Sequence, residues 1–289
     1  MDWQTSRFLV DLNRPRVMGI VNLTPDSFSD GGQHAGPEAG IAHCQRLVEE
    51  GADILDLGGE SSRPGAAILS VDEEWARVAP VLAAAVKLGV PISIDTCKPE
   101  LMRRALLEGA DIINDIHALE RPGALEVLAK HERAGVCLMH MRGEPQTMQA
   151  LTDYGDVVTE VAAYLQARAE AAQAAGIARQ RIVIDPGYGF AKTSPQNLAL
   201  LARQAELMRL NYPLLVGWSR KRTLGDLTGR PADERQAASV AAALAAVARG
   251  AAIVRVHDVA ATVDALKVWQ AVAGAERQSL DLKDKKHES

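Results

Sequence analysis

Ile182-Val-Ile-Asp185 is one of eight short apolar runs in this chain that end on polar residues. Helix-like stretches lie between the runs, as expected of parallel strands joined by helices. The other seven runs end in the same way, at residues 17–22, 54–60, 92–95, 112–115, 136–140, 214–217 and 253–257. Eight such units predict an α/β fold, a single-domain TIM (β/α)8 barrel whose strand carboxyl ends form the reactive face.

The length of 289 residues fits one such barrel, which commonly takes about 250 residues. We expect residues 1–16 to form a lead-in strand or hairpin across the barrel bottom, and residues 17–275 to form the barrel. The polar residues 276–289 are predicted to be a frayed tail. Among the helices, the pattern predicts one at 195–209, one at 233–249 between the last two strands, and a final one at 260–272.

The composition narrows the class of protein. The formal net charge of −5 argues against a nucleic-acid partner, because phosphate backbones favour basic surfaces. Cys44, Cys97 and Cys137 have no metal-ligand spacing and are expected to be reduced thiols. No apolar run reaches the roughly 20 residues of a membrane span, and the start of the chain has no apolar signal core. We therefore expect a soluble cytoplasmic enzyme with no membrane partner.

Two glycine-rich loops follow the first two strands. In the first, Asn22 ends a strand, and its amide oxygen is a type of ligand that Mg²⁺ accepts. In the second, Ser62 and Arg63 lie among three glycines, which suits a diphosphate because hydroxyls donate and a guanidinium binds two oxygens. The alternative is that each loop is a turn whose side chains satisfy their own backbone.

Cations are clustered after the last two strands, where such barrels often bind phosphate. The segments are Gly217-Trp-Ser-Arg-Lys-Arg222 and Arg255-Val-His257. Arg255 interrupts an apolar strand, and an arginine there is rarely left without an anionic or stacked partner. The pattern favours a site for an anion.

Three other strands end on hydrogen-bond acceptors, Asp95, Asn114 and Asp185. A carboxylate accepts two parallel N–H bonds, so this set matches the amino-oxo edge of a pteridine or guanine. The alternative is a cluster of metal ions, but no His-x-His pair follows the first strand. We therefore predict a planar heterocycle that carries a phosphate or diphosphate.

The sequence closely resembles the dihydropteroate synthases of the bacterial folate pathway, from about residue 17 to about residue 264. The resemblance is carried by Met18-Gly-Ile-Val-Asn-Leu-Thr-Pro-Asp-Ser-Phe-Ser-Asp-Gly-Gly32 and Gly58-Gly-Glu-Ser-Ser-Arg-Pro-Gly-Ala66. Shorter matches at the other strand ends support it. The resemblance implies the condensation of 6-hydroxymethyl-7,8-dihydropterin diphosphate with 4-aminobenzoate, which gives 7,8-dihydropteroate and diphosphate. It also implies a homodimer.

The resemblance also implies a role for each site residue. The pterin would be bound by Asp95, Asn114, Asp185, Lys221 and Arg255. The diphosphate would be bound by Asn22, Ser62, Arg63, Arg255 and His257. The aminobenzoate would be bound by Pro64, Phe190, Ser219 and Lys221. Mg²⁺ would lie near Asn22 and Asp30, and the catalytic set would be Asn22, Arg63, Lys221, Arg255 and His257. Asp56, inside the second strand, is interpreted as structural.

Two other functions stay open on the sequence. A methyltetrahydrofolate-binding methyltransferase barrel shares the three acceptors but does not need the loop at Arg63. A non-catalytic pterin-binding paralogue would be expected to lose residues such as Asn22, Arg63 or Lys221, which are all present. For the synthase we predict an S_N1-like loss of diphosphate, because the reduced pterin can delocalise the positive charge left on carbon.

Overall fold

The computed structural model describes residues 1–24, 36–61 and 67–287, with side chains through residue 275. A short antiparallel hairpin, β1 (Asp2–Gln4) and β2 (Leu9–Asp11), precedes a sheet of eight parallel strands. The eight strands are β3 (Arg16–Asn22), β4 (Ile54–Gly58), β5 (Ile92–Asp95), β6 (Ile112–Asp115), β7 (Gly135–Met139), β8 (Ile182–Asp185), β9 (Leu215–Val216) and β10 (Ile253–Val256). Each strand falls on one of the eight apolar runs.

The eight strands close into a barrel. Their order around the sheet is β8-β7-β6-β5-β4-β3-β10-β9, and neighbouring strands are paired in register. An isolated parallel bridge between Ile184 and Leu214 joins β8 to the residue before β9. Because all eight strands run in the same direction, their carboxyl ends meet at one face. The predicted single-domain (β/α)8 barrel is confirmed.

Nine α-helices lie in the described part of the chain and connect or follow the strands. They are α1 (Pro37–Glu49), α2 (Val71–Ala85), α3 (Pro99–Leu107), α4 (Ala124–Lys130), α5 (Val157–Ala174), α6 (Ser194–Ala202), α7 (Arg222–Thr228), α8 (Gln236–Val247) and α9 (Val259–His287). Several begin with a side-chain cap, such as Ser70 before α2. None of the described helices has both the length and the apolar content needed to cross a membrane.

Two apolar cores fill the barrel, apart from a third, small cluster near the carboxyl ends of β7 and β8 that consists of Met139, Met141, Met148, Phe190 and Ala191. The larger one lies between the strands and the surrounding helices, and includes Leu55, Ile94 and Leu138. The smaller one fills the lower interior of the barrel, and its members are Trp3, Val10, Met18, Ile54, Ile112, Cys137, Val183, Leu215 and Ile253. Successive residues of a strand point to opposite faces, so one strand supplies both cores. The carboxyl half of the interior is thereby left for polar side chains.

The hairpin β1–β2 lies at the amino-terminal ends of the strands. Trp3 is fully buried, and its indole N–H donates to the carbonyl oxygen of Arg181 at 2.9 Å. The Ser6 hydroxyl donates to the carbonyl oxygen of Ala110 at 3.1 Å. Both carbonyls precede a barrel strand. The hairpin therefore covers the end of the barrel opposite to the reactive face.

Two helices differ clearly from their predicted bounds, and a further helix was not predicted. The helix predicted at 195–209 is divided into α6 and a 3-10 helix, Gln204–Leu210, where the buried Gln204 amide donates to the Ala246 carbonyl. Helix α7 was not predicted, because seven residues are too few to show helical periodicity. Helix α9 continues past the predicted end at residue 272 to His287, through residues of high helix propensity.

Candidate active site

A ring of polar side chains crosses the carboxyl half of the barrel interior. Arg255 on β10 donates from Nε to Asp56 Oδ2 at 2.6 Å and from a terminal nitrogen to Asp95 Oδ2 at 2.8 Å. The Asn114 amide donates to the same Asp56 oxygen at 3.1 Å. Strand β10 is not adjacent to β4, β5 or β6, so these bonds span the barrel rather than follow the sheet. The structure thus brings together Asp95, Asn114 and Arg255, as predicted from the sequence.

Asp56 is the centre of this group of polar side chains, although it was interpreted from the sequence as structural. Its side chain has no exposed area, and its Oδ2 accepts from both Arg255 and Asn114. Its Oδ1 has no hydrogen-bond partner among the described residues. A sequence signal was present, because a carboxylate two residues before a strand end points to the same face as that end. Asp56 holds the arginine in place beneath the barrel mouth.

The charges in the ring alter one another's pKa. Burial raises the pKa of Asp95 to about 7, against the opposing effect of the Arg255 guanidinium, and the neighbouring Asp56 adds to the increase. The pKa of Arg255 is raised because Asp56 and Asp95 outweigh the effect of its own burial. Asp95 therefore holds a proton more readily than an exposed aspartate does. The ion pair with Arg255 limits this tendency.

Asp185 lies at the end of β8, and the loop after it folds back onto its carboxylate. The backbone N–H of Gly187 donates to Asp185 Oδ1 at 2.7 Å. Burial raises the pKa of Asp185 to about 6, while this N–H and the positive charge of Lys221 oppose the increase. Lys221 Nζ lies 4.1 Å from the centroid of the Phe190 ring. The predicted residues Asp185, Phe190 and Lys221 therefore belong to one wall of the site.

Ser219 and His257, at the ends of β9 and β10, are bonded to each other. The Ser219 hydroxyl oxygen lies 2.9 Å from His257 Nδ1 and accepts from the His257 backbone N–H at 3.1 Å. The hydroxyl therefore fixes the orientation of the imidazole ring. The sequence placed Ser219 with the aminobenzoate and His257 with the diphosphate, and gave no sign that the two would touch.

Asn22 lies in the same row of the barrel as the ring of acceptors. It is paired in register with Gly58, Gly58 with Asp95, and Asp95 with Asn114. This row follows the reactive face across four adjacent strands. Ser62, Arg63, Pro64 and Asp30 lie outside the described residues, so their predicted roles stay predictions.

The sequence missed a second charged cluster beside this row. Lys98 Nζ lies 2.6 Å from Glu60 Oε2 and 2.6 Å from Glu74 Oε2. The same Glu60 oxygen accepts from the backbone N–H of Leu69 at 2.7 Å. Burial raises the pKa of Glu74. Glu60 and Lys98 follow adjacent strands closely, which was the available signal.

The donor set for a metal ion is sparse in the described part of the chain. No group of three His, Cys, Asp or Glu side chains there is arranged to hold an ion. Asn22 offers one neutral oxygen at the reactive face. Mg²⁺ in proteins is often held by one or two side chains together with the phosphates of a substrate. Asn22 fits such a shared site, and it does not fit one built from protein ligands alone.

Comparison with known proteins identifies the family. The family model described as pterin binding enzyme matches residues 18–257. The dihydropteroate synthase of Neisseria meningitidis serogroup B is 57% identical over 276 residues, 93% of this chain and 97% of that protein. This chain belongs to the dihydropteroate synthase family. As a dihydropteroate synthase, it is an enzyme of the transferase class.

Solved dihydropteroate synthases have the same barrel. The Burkholderia cenocepacia dihydropteroate synthase, complexed with 7,8-dihydropteroate, has a TM-score of 0.88 and 52% identity, and the match covers 96% of this chain and 98% of that chain. The Xanthomonas albilineans dihydropteroate synthase with 4-aminobenzoic acid has a TM-score of 0.87 and 54% identity, covering 92% of this chain and 95% of that chain. The matched regions contain nearly all of the barrel.

Proposed function

We propose that this dihydropteroate synthase joins 6-hydroxymethyl-7,8-dihydropterin diphosphate to 4-aminobenzoate, giving 7,8-dihydropteroate and diphosphate. One observation carries the proposal: Arg255 is bound to Asp56 and Asp95 across the barrel mouth, with Asn114 on the same Asp56 oxygen. This arrangement combines acceptors for an N–H-rich ring with a cation for its leaving group. The bound products and substrates of the related structures are consistent with it.

The pterin is recognised by acceptors along one edge and cations near the other. Asp95, Asn114 and Asp185 accept from the ring N–H groups, while Lys221 and Arg255 bind its carbonyl side. Ionised carboxylates suit the amino edge because each can accept two parallel N–H bonds. Their partial burial makes these bonds costly to lose. The ring is therefore held in one orientation.

The diphosphate is bound at the opposite end of the ring. Arg255 and His257 bind it at the end of β10, and Asn22 binds it at the end of β3. The resemblance adds Ser62 and Arg63. Asn22 would hold Mg²⁺ together with the oxygens of the diphosphate, and the bound ion would neutralise charge on the leaving group. The side chains contribute by orienting the diphosphate and by stabilising the negative charge that develops on it.

The aminobenzoate occupies the wall formed by Lys221 and Phe190. Lys221 Nζ lies over the face of the Phe190 ring, so this wall presents a cation beside an apolar surface, which suits the carboxylate and the ring of an aminobenzoate. Ser219 also belongs to this pocket, and the resemblance adds Pro64. The bond between Ser219 and His257 places the serine where the aminobenzoate and diphosphate regions meet.

The chemical step is an S_N1-like departure. The bond between the pterin methylene carbon and the diphosphate oxygen breaks first, and both electrons leave with the diphosphate. The arylamine nitrogen then forms the new C–N bond and loses a proton. Incubation without 4-aminobenzoate tests this order, because reversible departure moves an ¹⁸O label from the bridging position into the non-bridging positions. Full turnover without any such exchange would refute it.

Diphosphate release by the purified chain tests the function itself. We expect release to depend on 4-aminobenzoate and to be matched mole for mole by dihydropteroate. A methyltetrahydrofolate-binding methyltransferase would not consume the diphosphate substrate, and a non-catalytic paralogue would bind it without turnover. In Arg255→Ala, which removes both ring and anion contacts, turnover should nearly vanish.

The assembly is part of the proposal. We propose a homodimer, as the resemblance implies, and sedimentation of the purified chain at micromolar concentration measures it. A single species at the monomer mass of 30.9 kDa would contradict the dimer. The cytoplasmic location stays a prediction.

A further inference from the structure

Lys192 is a buried cation that the proposed chemistry does not use. Lys192 is 3% exposed and lies at the end of the loop that connects β8 to α6. Its Nζ lies 2.9 Å from the carbonyl oxygen of Gly187, 2.9 Å from that of Phe190 and 3.0 Å from His140 Nδ1. Three acceptors therefore match the three N–H bonds of an ammonium group.

These acceptors are neutral, which is unusual for a buried charge. Burial lowers the pKa of Lys192 to about 7, helped by the positive charges of Lys221 and Arg142 and opposed by Asp185. A buried ammonium is costly unless it is fully hydrogen-bonded. Losing any one of the three contacts would thus be penalised, so the ammonium and its acceptors hold one another in a fixed arrangement.

The loop coils around the ammonium in a strained conformation. Gly187, Gly189 and Ala191 have φ values of 67°, 81° and 50°, in the left-handed region. An alanine rarely adopts this conformation without compensation. The alternation turns the carbonyls of Gly187 and Phe190 inward toward the same point. The Gly187 carbonyl also accepts from the backbone N–H of Phe190 at 3.0 Å, and the ammonium is the donor that joins it to the Phe190 carbonyl. The contacts to Lys192 therefore help to compensate for the strain.

The same loop supplies two parts of the candidate site. At its start, the Gly187 N–H donates to the Asp185 carboxylate at 2.7 Å. At its far end, the Phe190 ring lies under Lys221 at 4.1 Å from Nζ. Asp185 is anchored in β8, whereas Phe190 is held by the loop and by packing against Met139, Met141 and Met148. A change in the loop should therefore affect the Phe190 end more than the Asp185 end.

We propose that Lys192 is a positioning residue, whose ammonium fixes the loop 186–191 so that Phe190 faces Lys221 in the aminobenzoate pocket. This inference rests on the proposed function for the identity of that pocket. Lys192 itself touches neither substrate. Its role is to hold the loop from the inside, through the two carbonyls and through His140.

The protonation state and the packing of His140 suit it to be the third acceptor for Lys192. Burial and the adjacent Lys192 cation lower the pKa of His140 to about 2, so the imidazole is neutral. Its Nδ1 then accepts from the ammonium and its Nε2 carries the proton. The ring packs edge-on against Tyr164, with centroids 4.9 Å apart. The histidine is thereby held with its acceptor toward Lys192.

The first test replaces Lys192 by methionine, which keeps the length of the side chain and removes its donors. We expect the KM for 4-aminobenzoate to rise at least tenfold and the KM for the pterin diphosphate to change less than threefold. The matched control is Lys87→Met at an exposed lysine, which should leave both values unchanged. Equal changes in the two KM values, or a fall in kcat alone, would indicate a merely structural lysine and overturn the proposal.

A second pair of variants keeps the lysine and changes its acceptor. Asparagine places an oxygen near the position of Nδ1, whereas leucine offers no acceptor. We expect His140→Leu to raise the KM for 4-aminobenzoate several-fold and His140→Asn to restore it to within twofold of the native value. If both variants behave alike, packing rather than hydrogen bonding accounts for the residue, and the proposal fails.

A third readout does not depend on catalysis. Hydrogen exchange of the peptide that spans the loop 186–191 should be at least tenfold faster in Lys192→Met than in Lys87→Met. If the native chain failed to release diphosphate, the proposed function would be wrong, and this exchange would still measure the positioning role. Unchanged exchange in an intact Lys192→Met protein would refute that role.

Discussion

The pKa values of the carboxyl groups in the candidate site are determined by burial and by the charged or polar groups next to them. Asp95 and Asp185 resemble ordinary strand-end carboxylates in the sequence, but burial raises their pKa values to about 7 and about 6. Arg255 limits the increase for Asp95, and the Gly187 N–H limits it for Asp185. At neutral pH the acceptors of this site are close to their titration range, and their function should follow the pH.

The first prediction concerns this pH dependence. As pH falls from 8 to 5, Asp95 and then Asp185 gain a proton and lose an acceptor, so kcat/KM for the pterin substrate should fall. The contribution of these two carboxyls to stability should move the other way. Because their folded-state pKa values are raised, Asp95 and Asp185 stabilise the free protein more as pH falls through 7 and 6 toward 4, whereas the lowered pKa of the buried His140 acts in the opposite direction. A kcat/KM profile, corrected for titration of the substrate, checks the activity. In Asp185→Asn the lower of the two pKa values should be absent.

Asp56 gives the second prediction. Asp56→Asn turns the oxygen that binds Arg255 and Asn114 into an amide, and leaves a buried guanidinium with one partner fewer. Breaking a buried ion pair from one side costs roughly 3–5 kcal/mol. Urea unfolding at pH 8, where Asp95 is ionised, measures the loss. Asp264→Asn, at an exposed ion pair on α9, is the control and should change little. An equal effect in the two variants would contradict the central role of Asp56.

The sequence predicted that Asp95, Asn114 and Asp185 lie at one face of the barrel, and the reason is geometric. Asp95 and Asp185 end their strands, Asn114 lies one residue before the end of β6, and parallel strands bring their ends to one face. The bond between Ser219 and His257 could not be predicted, because it depends on how two loops from different strands pack. Asp56 was missed as a site residue because its role lies in the contacts it makes across the barrel.

At the scale of single elements, some helices and strands could be predicted from the local sequence, whereas others depend on tertiary contacts. The strands were predictable because apolar runs with polar ends repeat along the chain. Helix α7 has only seven residues and includes Gly225, so no periodicity marked it. The division of α6 from the following 3-10 helix depends on Gln204, whose amide bonds α8. Such a contact exists only after the helices have packed, and a local pattern does not contain it.

Helix α2 carries the third prediction. Ser70 accepts from the backbone N–H of Glu73, and the Glu73 carboxylate accepts from the backbone N–H of Ser70, which forms a capping box. Ser70→Ala should destabilise the protein by about 1 kcal/mol and lower Tm by roughly 2–4 °C. Thermal unfolding measures this, and Ser70→Thr should keep most of the cap. If the alanine and threonine variants both have the Tm of the native protein, the cap does not contribute to stability.

At the scale of the whole molecule, stability and chemistry lie at opposite ends of the barrel. The amino-terminal end is filled by the smaller apolar core and covered by the hairpin β1–β2. The carboxyl end holds the titratable ring. A barrel interior is a packed core rather than a channel. Substitutions at the amino-terminal end should therefore affect the site at the carboxyl end only by unfolding the protein.

Trp3 provides the fourth prediction. Trp3→Ala removes a fully buried indole and its bond to the Arg181 carbonyl, so unfolding should be easier by roughly 3–5 kcal/mol. At a temperature where the variant is still folded, both KM values should equal those of the native chain. Chemical denaturation and steady-state kinetics on the same preparation check the two parts. A changed KM with the fold intact would show that the barrel ends are not independent.

The closure of the barrel has a consequence for ligand binding. Between β8 and β9 the cylinder is joined by the isolated bridge at Ile184 and Leu214, whereas the other neighbours are paired along longer stretches. This thin seam runs up to Asp185 on one side and to the loop of Lys221 on the other. A pterin that hydrogen-bonds to both side chains would connect β8 to the loop after β9. Ligand binding should therefore stabilise the barrel at the pair of strands that has the fewest backbone hydrogen bonds.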